Sequence, residues 1–205
     1  MDRINALFPT SYFPSVSYLN AYFKEENPII EVYESFPKQT LRNRCEILTS
    51  NGIQRLSIPV NRKNGSKTLT KEIEIDYTKK WQNDHWRAIK TAYASAPYYE
   101  EYESQLKELI SQKHHSLIEL NHSILEFVQG ILETPIEIKN TAKFVHSHDN
   151  DFRHVNFMDR QDIKEYQQVF SYDREFTANL SFIDLLFNEG PFMRSWILNQ
   201  EHELL

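Results

Sequence analysis

The chain has 205 residues, 40% of them hydrophobic and 25% charged, a balance that suits a soluble globular protein with room for one well-buried core. Its net charge of −6 argues against coating a nucleic acid by bulk electrostatics. Four glycines, at 52, 65, 130 and 190, leave no glycine-rich phosphate cradle, and the one cysteine excludes an internal disulfide.

Residues 4–8 alternate weakly and predict a short buried strand ending at Pro9. After the hydroxyl-bearing loop Pro9-Thr10-Ser11-Tyr12-Phe13-Pro14, the spacing of Val16, Tyr18, Leu19, Tyr22 and Phe23 predicts a helix with Pro14 and Ser15 in its first turn. A strand, a loop and a helix N-terminus can offer free backbone N–H groups to an anion, with Ser11 beside them. A plain connection capped by Ser or Thr fits the same pattern. Residues 29–32 read as a second strand.

The stretch Phe36-Pro37-Lys38-Gln39-Thr40-Leu41-Arg42-Asn43-Arg44-Cys45 places three cations in ten residues of an acidic protein and runs into a core strand. Unpaired charge is costly to remove from water, so something anionic must face it, from the protein or from a ligand. Ser50-Asn51-Gly52 is a tight-turn signal between residues 44–48 and 53–60, which predicts a β-hairpin. Residues 61–67 form a polar basic loop. Residues 69–75 alternate and predict a third strand of the same sheet, ended by Asp76.

Helices are expected over about 79–94, 98–112 and 115–132. In the first, Trp81, His85, Ile89 and Ala92 form one stripe. Beyond 136 the pattern loosens, with short strands expected near 136–138, 144–145 and 166–170. A capped apolar helix follows over 179–187 and a last helix over 191–199. No repeat or linker interrupts the chain, so residues 1–205 read as one α/β domain. Its mixed sheet is built from the N-terminal strands and the hairpin, with helices from about residue 79 packed on it.

Several groups could carry chemistry. His85, with Arg87 two residues on and Asp76 at the preceding strand end, suits a general base oriented by a carboxylate and flanked by an anion contact. A core histidine bonded to backbone fits the same spacing. Arg42, Arg44 and Lys38 suit phosphate or carboxylate binding, with Gln39 and Asn43 orienting polar groups. Asp184, inside an apolar helix, is a substrate contact or the internal partner of Arg42 or Arg44. Cys45 reads as a small buried hydrophobe in preference to a nucleophile. His146-Ser-His-Asp-Asn-Asp-Phe-Arg-His154 carries metal-ligand types but no fixed ligand spacing, so a solvated loop is preferred and no metal is expected. No cofactor is indicated.

Taken together, Phe8-Pro9-Thr10-Ser11-Tyr12-Phe13-Pro14, Glu34-Ser35-Phe36-Pro37-Lys38-Gln39-Thr40-Leu41-Arg42-Asn43-Arg44-Cys45, Leu56-Ser57-Ile58-Pro59-Val60, Asp76-Tyr77, Trp81-Gln82, His85-Trp86-Arg87, Ala92-Tyr93, Tyr166-Gln167-Gln168-Val169-Phe170 and Asn179-Leu180-Ser181-Phe182-Ile183-Asp184-Leu185-Leu186-Phe187 resemble the WbqC-like protein family in this order. Many relatives open His-Gln-Pro-x-Tyr-x-Pro-Trp. Here Phe8, Pro9 and Thr10 replace the first histidine and glutamine, and Ser15 stands in place of the tryptophan. The resemblance implies a role in making or decorating a bacterial surface polysaccharide of the O-antigen type, by acyl or aminoacyl transfer to an amino sugar. The expected partner is an anionic small molecule such as a nucleotide-linked amino sugar. Nucleic acid and membrane insertion are not expected, homo-oligomerisation is compatible with the sequence, and the expected location is the cytoplasm. The competing reading is a non-catalytic scaffold of the assembly machinery, in which the cations of 36–45 are neutralised internally by Glu34, Asp76 or Asp184.

Overall fold

The computed structural model describes residues 6–159, 163–172 and 174–199, so Ile4, where the first strand was expected to begin, lies outside it. Strand β1 (Ala6–Pro9) and strand β2 (Pro28–Glu31) are parallel, joined by helix α1 (Val16–Lys24). A short strand β7 (Lys139–Asn140) pairs in parallel with the far side of β2. The 150–152 segment completes the array, with Leu7 N–H donating to the Asn150 carbonyl at 2.9 Å and Phe152 N–H to the Leu7 carbonyl at 2.8 Å. β1 and β2 are buried at every residue, as expected of parallel strands covered on both faces. Phe8 is clamped by Tyr18 and Tyr22 of α1 and stacks on Phe152, 4.6 Å between ring centres.

The expected hairpin forms from β3 (Arg44–Thr49) and β4 (Gly52–Ser57), turning at Ser50 and Asn51. Gly52 has φ 101°, which explains a glycine there. The fold class is mixed α/β, as read from the sequence. Among the described residues, backbone bonding divides the strands into three small sheets.

The 69–75 segment departs from the expected third strand of the hairpin sheet. Thr70 N–H is captured by the Glu34 carbonyl and Lys71 N–H by the Val32 carbonyl, each at 2.9 Å, and residues 70–72 curl into a single 3₁₀ turn. Leu69 makes an isolated antiparallel bridge to Ser35, and β6 (Glu74–Ile75) forms a short ladder with β5 (Val60–Asn61). The short strands expected at 144–145 and 166–170 are likewise absent from the described structure. The Gln168 side chain bonds both the N–H and the carbonyl of Thr177, a side-chain tether in place of a ladder.

Helices α2 (Trp81–Tyr93), α3 (Tyr99–Ser111) and α4 (Leu117–Leu132) follow the predicted periodicity. The stripe Trp81, His85, Ile89 and Ala92 is buried in α2. α4 starts at a reciprocal cap, in which Ser116 accepts from Glu119 N–H and the Glu119 carboxylate accepts from Ser116 N–H. Helix α5 (Phe182–Glu189) is capped by Ser181, and α6 (Met193–Leu198) packs back on α1. The turn between them needs Gly190, at φ 53°, because a Cβ there would collide with the Tyr98 ring.

Candidate functional site

The loop leaving β1 is fixed to the cation-rich stretch by Tyr12 N–H, which donates to the Leu41 carbonyl at 2.9 Å. Ser15 caps α1, accepting from Tyr18 N–H, and its own hydroxyl donates to the Phe157 carbonyl at 2.7 Å. The first turns of α1 and α5 then clasp each other. Val16 N–H donates to the Leu180 carbonyl, Phe182 N–H to the Pro14 carbonyl, and Ser17 N–H to the Asn179 Oδ1. The free backbone donors expected at the start of α1 are therefore largely spent inside the protein.

Beside this clasp lies a narrow cleft of about 20 Å³, lined by Ser11, Tyr12, Arg44, Glu46, Asn179 and Ser181 with an apolar rim of Leu41, Phe157 and Met158. Two of its polar atoms, the Ser11 hydroxyl and the Arg44 Nε, are buried and have no hydrogen-bond partner among the described residues. Ser11 is 7% exposed. Burial and the neighbouring guanidinium of Arg55 hold the Arg44 pKa below its ordinary value. Glu46 accepts both Nε and Nη2 of Arg55, at 3.2 and 2.7 Å.

Arg42 is placed differently from Arg44. It is buried and forms a bidentate pair with Glu34, Nε to Oε1 at 2.6 Å and Nη2 to Oε2 at 2.9 Å. Its charge is met internally by Glu34, as the scaffold reading allows, and neither by Asp184 nor by an open pocket. The pair continues into a network that sequence reading missed. Arg153 binds Asp151 through Nε and Nη2, donates to the Val145 carbonyl, and approaches Glu31 at 3.5 Å. Glu31, fully buried, also accepts from Tyr33 N–H, Val145 N–H and the Thr141 hydroxyl. This network sits at the carboxyl ends of the parallel strands, where open α/β sheets commonly place their ligands. A groove of about 480 Å³, walled by Tyr33, Phe144, His146 and His154, opens above it. The only signal for the network in the sequence was a glutamate, Glu31, ending an apolar strand.

His85 is buried on α2, and its Nδ1 lies 2.9 Å from the Tyr12 hydroxyl. Burial lowers its pKa to about 4, against the opposing effect of a backbone hydrogen bond at Ser57. A neutral ring that donates to the Ser57 carbonyl leaves Nδ1 as the acceptor for Tyr12 O–H. His85 thus stands behind Tyr12, which lines the cleft, and does not itself line it. The other two members of the expected catalytic group do not join it. Arg87 lies on the exposed face of α2. Asp76 accepts from the backbone and hydroxyl of Thr78, a local turn that holds its pKa below the usual carboxylate value.

Of the remaining expected contacts, Lys38 and Gln39 are exposed on the turn before Arg42, with Gln39 at φ 63°. Asn43 extends the hairpin, its Nδ2 donating to the Ile58 carbonyl while its own carbonyl accepts from Ile58 N–H. Asp184 is fully buried and accepts from Tyr93, Tyr166 and Gln168 at 2.9, 2.6 and 2.8 Å, so it neither reaches the cleft nor pairs with an arginine. Burial raises its pKa. Cys45 is buried with its thiol pKa pushed up. In the histidine-rich segment Asp151 is spent on Arg153 and His148 closes a turn on Asn150. No three His, Cys, Asp or Glu side chains among the described residues converge on a common point.

The fold is thus a mixed α/β one, with a buried ion network at the carboxyl edge of a small parallel array and a narrow polar cleft between that array and a hairpin. The model of the WbqC-like protein family matches residues 10–155, well over half of the chain, and the chain belongs to that family. Ser11 and Arg44 fall inside the matched region, whereas Phe157, Met158, Asn179 and Ser181 of the same cleft lie beyond it. An uncharacterized protein of Mycobacterium tuberculosis is 29% identical over 115 residues, covering 56% of this chain and 49% of that protein. The chain thus spans about half the length of the curated relative it matches. No solved structure matches. Among the described residues, no helix is long and apolar enough to cross a membrane.

Proposed function

We propose that the protein is a transferase-like enzyme of bacterial surface-polysaccharide biosynthesis, working in the cytoplasm on an anionic small molecule received at Arg44 and Ser11. One observation carries this reading. A guanidinium N–H and a hydroxyl, both buried and both without a partner among the described residues, line the same cleft. Leaving such groups unpaired costs about 1–3 kcal/mol each, and an incoming oxyanion would remove that cost. The polysaccharide setting rests on the family resemblance. In this reading Tyr12 meets the ligand and His85, neutral at pH 7, fixes the direction of the Tyr12 hydroxyl. Arg42, held by Glu34, shapes the loop and does not bind.

The test is to replace Arg44 and Ser11 by alanine, verify folding by circular dichroism and thermal melting, and analyse the surface polysaccharide of a bacterium carrying each variant. Loss of a substituent or of chain length is expected, and an unchanged polysaccharide would reject the site. The closed Arg42–Glu34 pair favours the scaffold as a second reading. Under it, both alanine variants would leave the polysaccharide intact, and surface substitutions away from the cleft would abolish partner binding.

A further inference from the structure

We infer that the groove above the ion network is a binding site for a neutral sugar ring, separate from the Ser11–Arg44 cleft. One wall is formed by Tyr33, Glu34 and Ser35, just beyond β2, and the other by Phe144 and His146 with Arg153 and His154.

A single buried carboxylate sets the two walls. Glu31 takes Tyr33 N–H on one oxygen at 2.8 Å and Val145 N–H on the other at 2.9 Å. Arg153 Nη1 donates to the Val145 carbonyl at 2.7 Å. Val145 is thus pinned through both its backbone groups, between the wall residues Phe144 and His146. Burying a carboxylate is costly unless its oxygens are hydrogen-bonded, and here those bonds fix how the walls stand to each other. The space between them, about 480 Å³, lies within the ~300–1,000 Å³ usual for small-molecule sites.

The lining selects by shape and polarity rather than by charge. Its carboxylate and guanidinium, Glu34 and Arg153, are already bound to Arg42 and Asp151. Lys71 rests on the Tyr33 ring, 3.8 Å from its centre, and lines a different groove. Phe144 is 41% exposed yet held in place, with the His146 ring edge-on at 5.1 Å and the Arg153 guanidinium 5.4 Å from the ring centre. Such a ring offers a flat apolar surface to the C–H face of a sugar. Groups for the hydroxyls stand around it. The Tyr33 and Ser35 hydroxyls donate or accept, and each Glu34 oxygen, given one N–H by Arg42, retains a lone pair. A sugar hydroxyl, itself donor and acceptor, matches that mixture. A nucleotide would also stack on Phe144, but its phosphates would meet the Glu34 carboxylate and no unpaired Lys or Arg among the lining residues.

The experiment is saturation-transfer NMR at neutral pH on the wild type, Phe144→Ala, Phe144→Leu and Phe192→Ala, titrated separately with glucose, galactose, N-acetylglucosamine and adenosine. At least one sugar is expected to receive saturable transfer at its ring C–H protons in the wild type, with affinity weakened about tenfold or more in both Phe144 variants. Phe192→Ala removes a ring that is 59% exposed and does not line the groove, and it is expected to bind as the wild type does. No transfer to any of the sugars, or transfer that both Phe144 variants keep, overturns the inference. Equal weakening in Phe192→Ala overturns it too, as does Phe144-dependent binding of adenosine alone. Phe144→Leu keeps apolar bulk and removes the ring, so it decides if Phe144→Ala fails to fold.

Discussion

Tyr12 on the β1–α1 loop and His85 on α2 meet through a buried hydrogen bond of 2.9 Å, between Tyr12 O–H and His85 Nδ1. That bond couples the acid stability of the protein to one imidazole. The folded-state pKa of about 4 lies below the ordinary value of 6.5. The unfolded chain therefore takes up the proton first as pH falls. Stability from this group is complete above about pH 6.5 and is lost progressively down to about pH 4. The whole shift corresponds to about 3 kcal/mol. Urea unfolding at a series of pH values should show that loss in the wild type, and His85→Gln should flatten that part of the profile. An equally steep profile in His85→Gln would assign the acid sensitivity elsewhere.

The Arg42–Glu34 pair is buried on both sides, so breaking it from one side leaves a charge with no counterpart. Glu34→Gln and Arg42→Met should each destabilise by about 3–5 kcal/mol. The double variant should cost clearly less than the sum, because it strands no charge. Denaturant unfolding of the four proteins measures the coupling. Additive losses would show that the pair contributes little as a pair.

Asp184 ties three segments together through Tyr93, Tyr166 and Gln168. Tyr166→Phe keeps the ring packing and removes one donor to a buried carboxylate, a loss of about 1.5–3 kcal/mol in thermal or chemical unfolding. The pH sign here is opposite to that of His85. The folded-state pKa of Asp184 is raised, so its protonated form favours the folded state and stability from it declines as pH rises through that pKa. Loss of the Tyr166 hydrogen bond should move that pKa higher still, and Tyr166→Phe should lose more stability at neutral pH than near pH 4.

Cys45 should resist alkylation in the native protein, because its thiol is enclosed and its thiolate disfavoured. Iodoacetamide labelling followed by mass spectrometry should track the unfolded fraction across a urea series. Rapid labelling of the folded protein without loss of structure would contradict the burial.

Local pattern carried a good deal of this. The α2 stripe and the turn at Ser50 and Asn51 were both legible, since each depends on residues within a few positions of one another. The family was legible from short motifs in order. What escaped was partnership. Glu34 is eight positions from Arg42, yet nothing local distinguished it from Asp76 or Asp184 as the counter-charge. Arg153 and Glu31 meet across 122 positions, beyond any periodic signal. Arg87 was avoidable, because two steps along a helix turn a side chain about 200° from its neighbour, away from the His85 face. The 69–75 alternation was real, but the backbone donors of Thr70 and Lys71 found carbonyls at 32–34 first.

The clasp between the first turns of α1 and α5 has a bearing on how the protein is made. One wall of the cleft emerges from the ribosome early, with Ser11 and Arg44, while the wall carrying Asn179 and Ser181 is among the later parts of the described chain. Until it arrives, the amides of Val16 and Ser17 have no protein acceptor and the hairpin lacks the bond from Ser181 N–H to the Glu46 carbonyl. Contacts of such long sequence separation form slowly because the closing loop must first lose its entropy. Until residues 179–181 have been made the chain therefore holds half a cleft, and the complete cleft is a property of the folded whole and of no early segment.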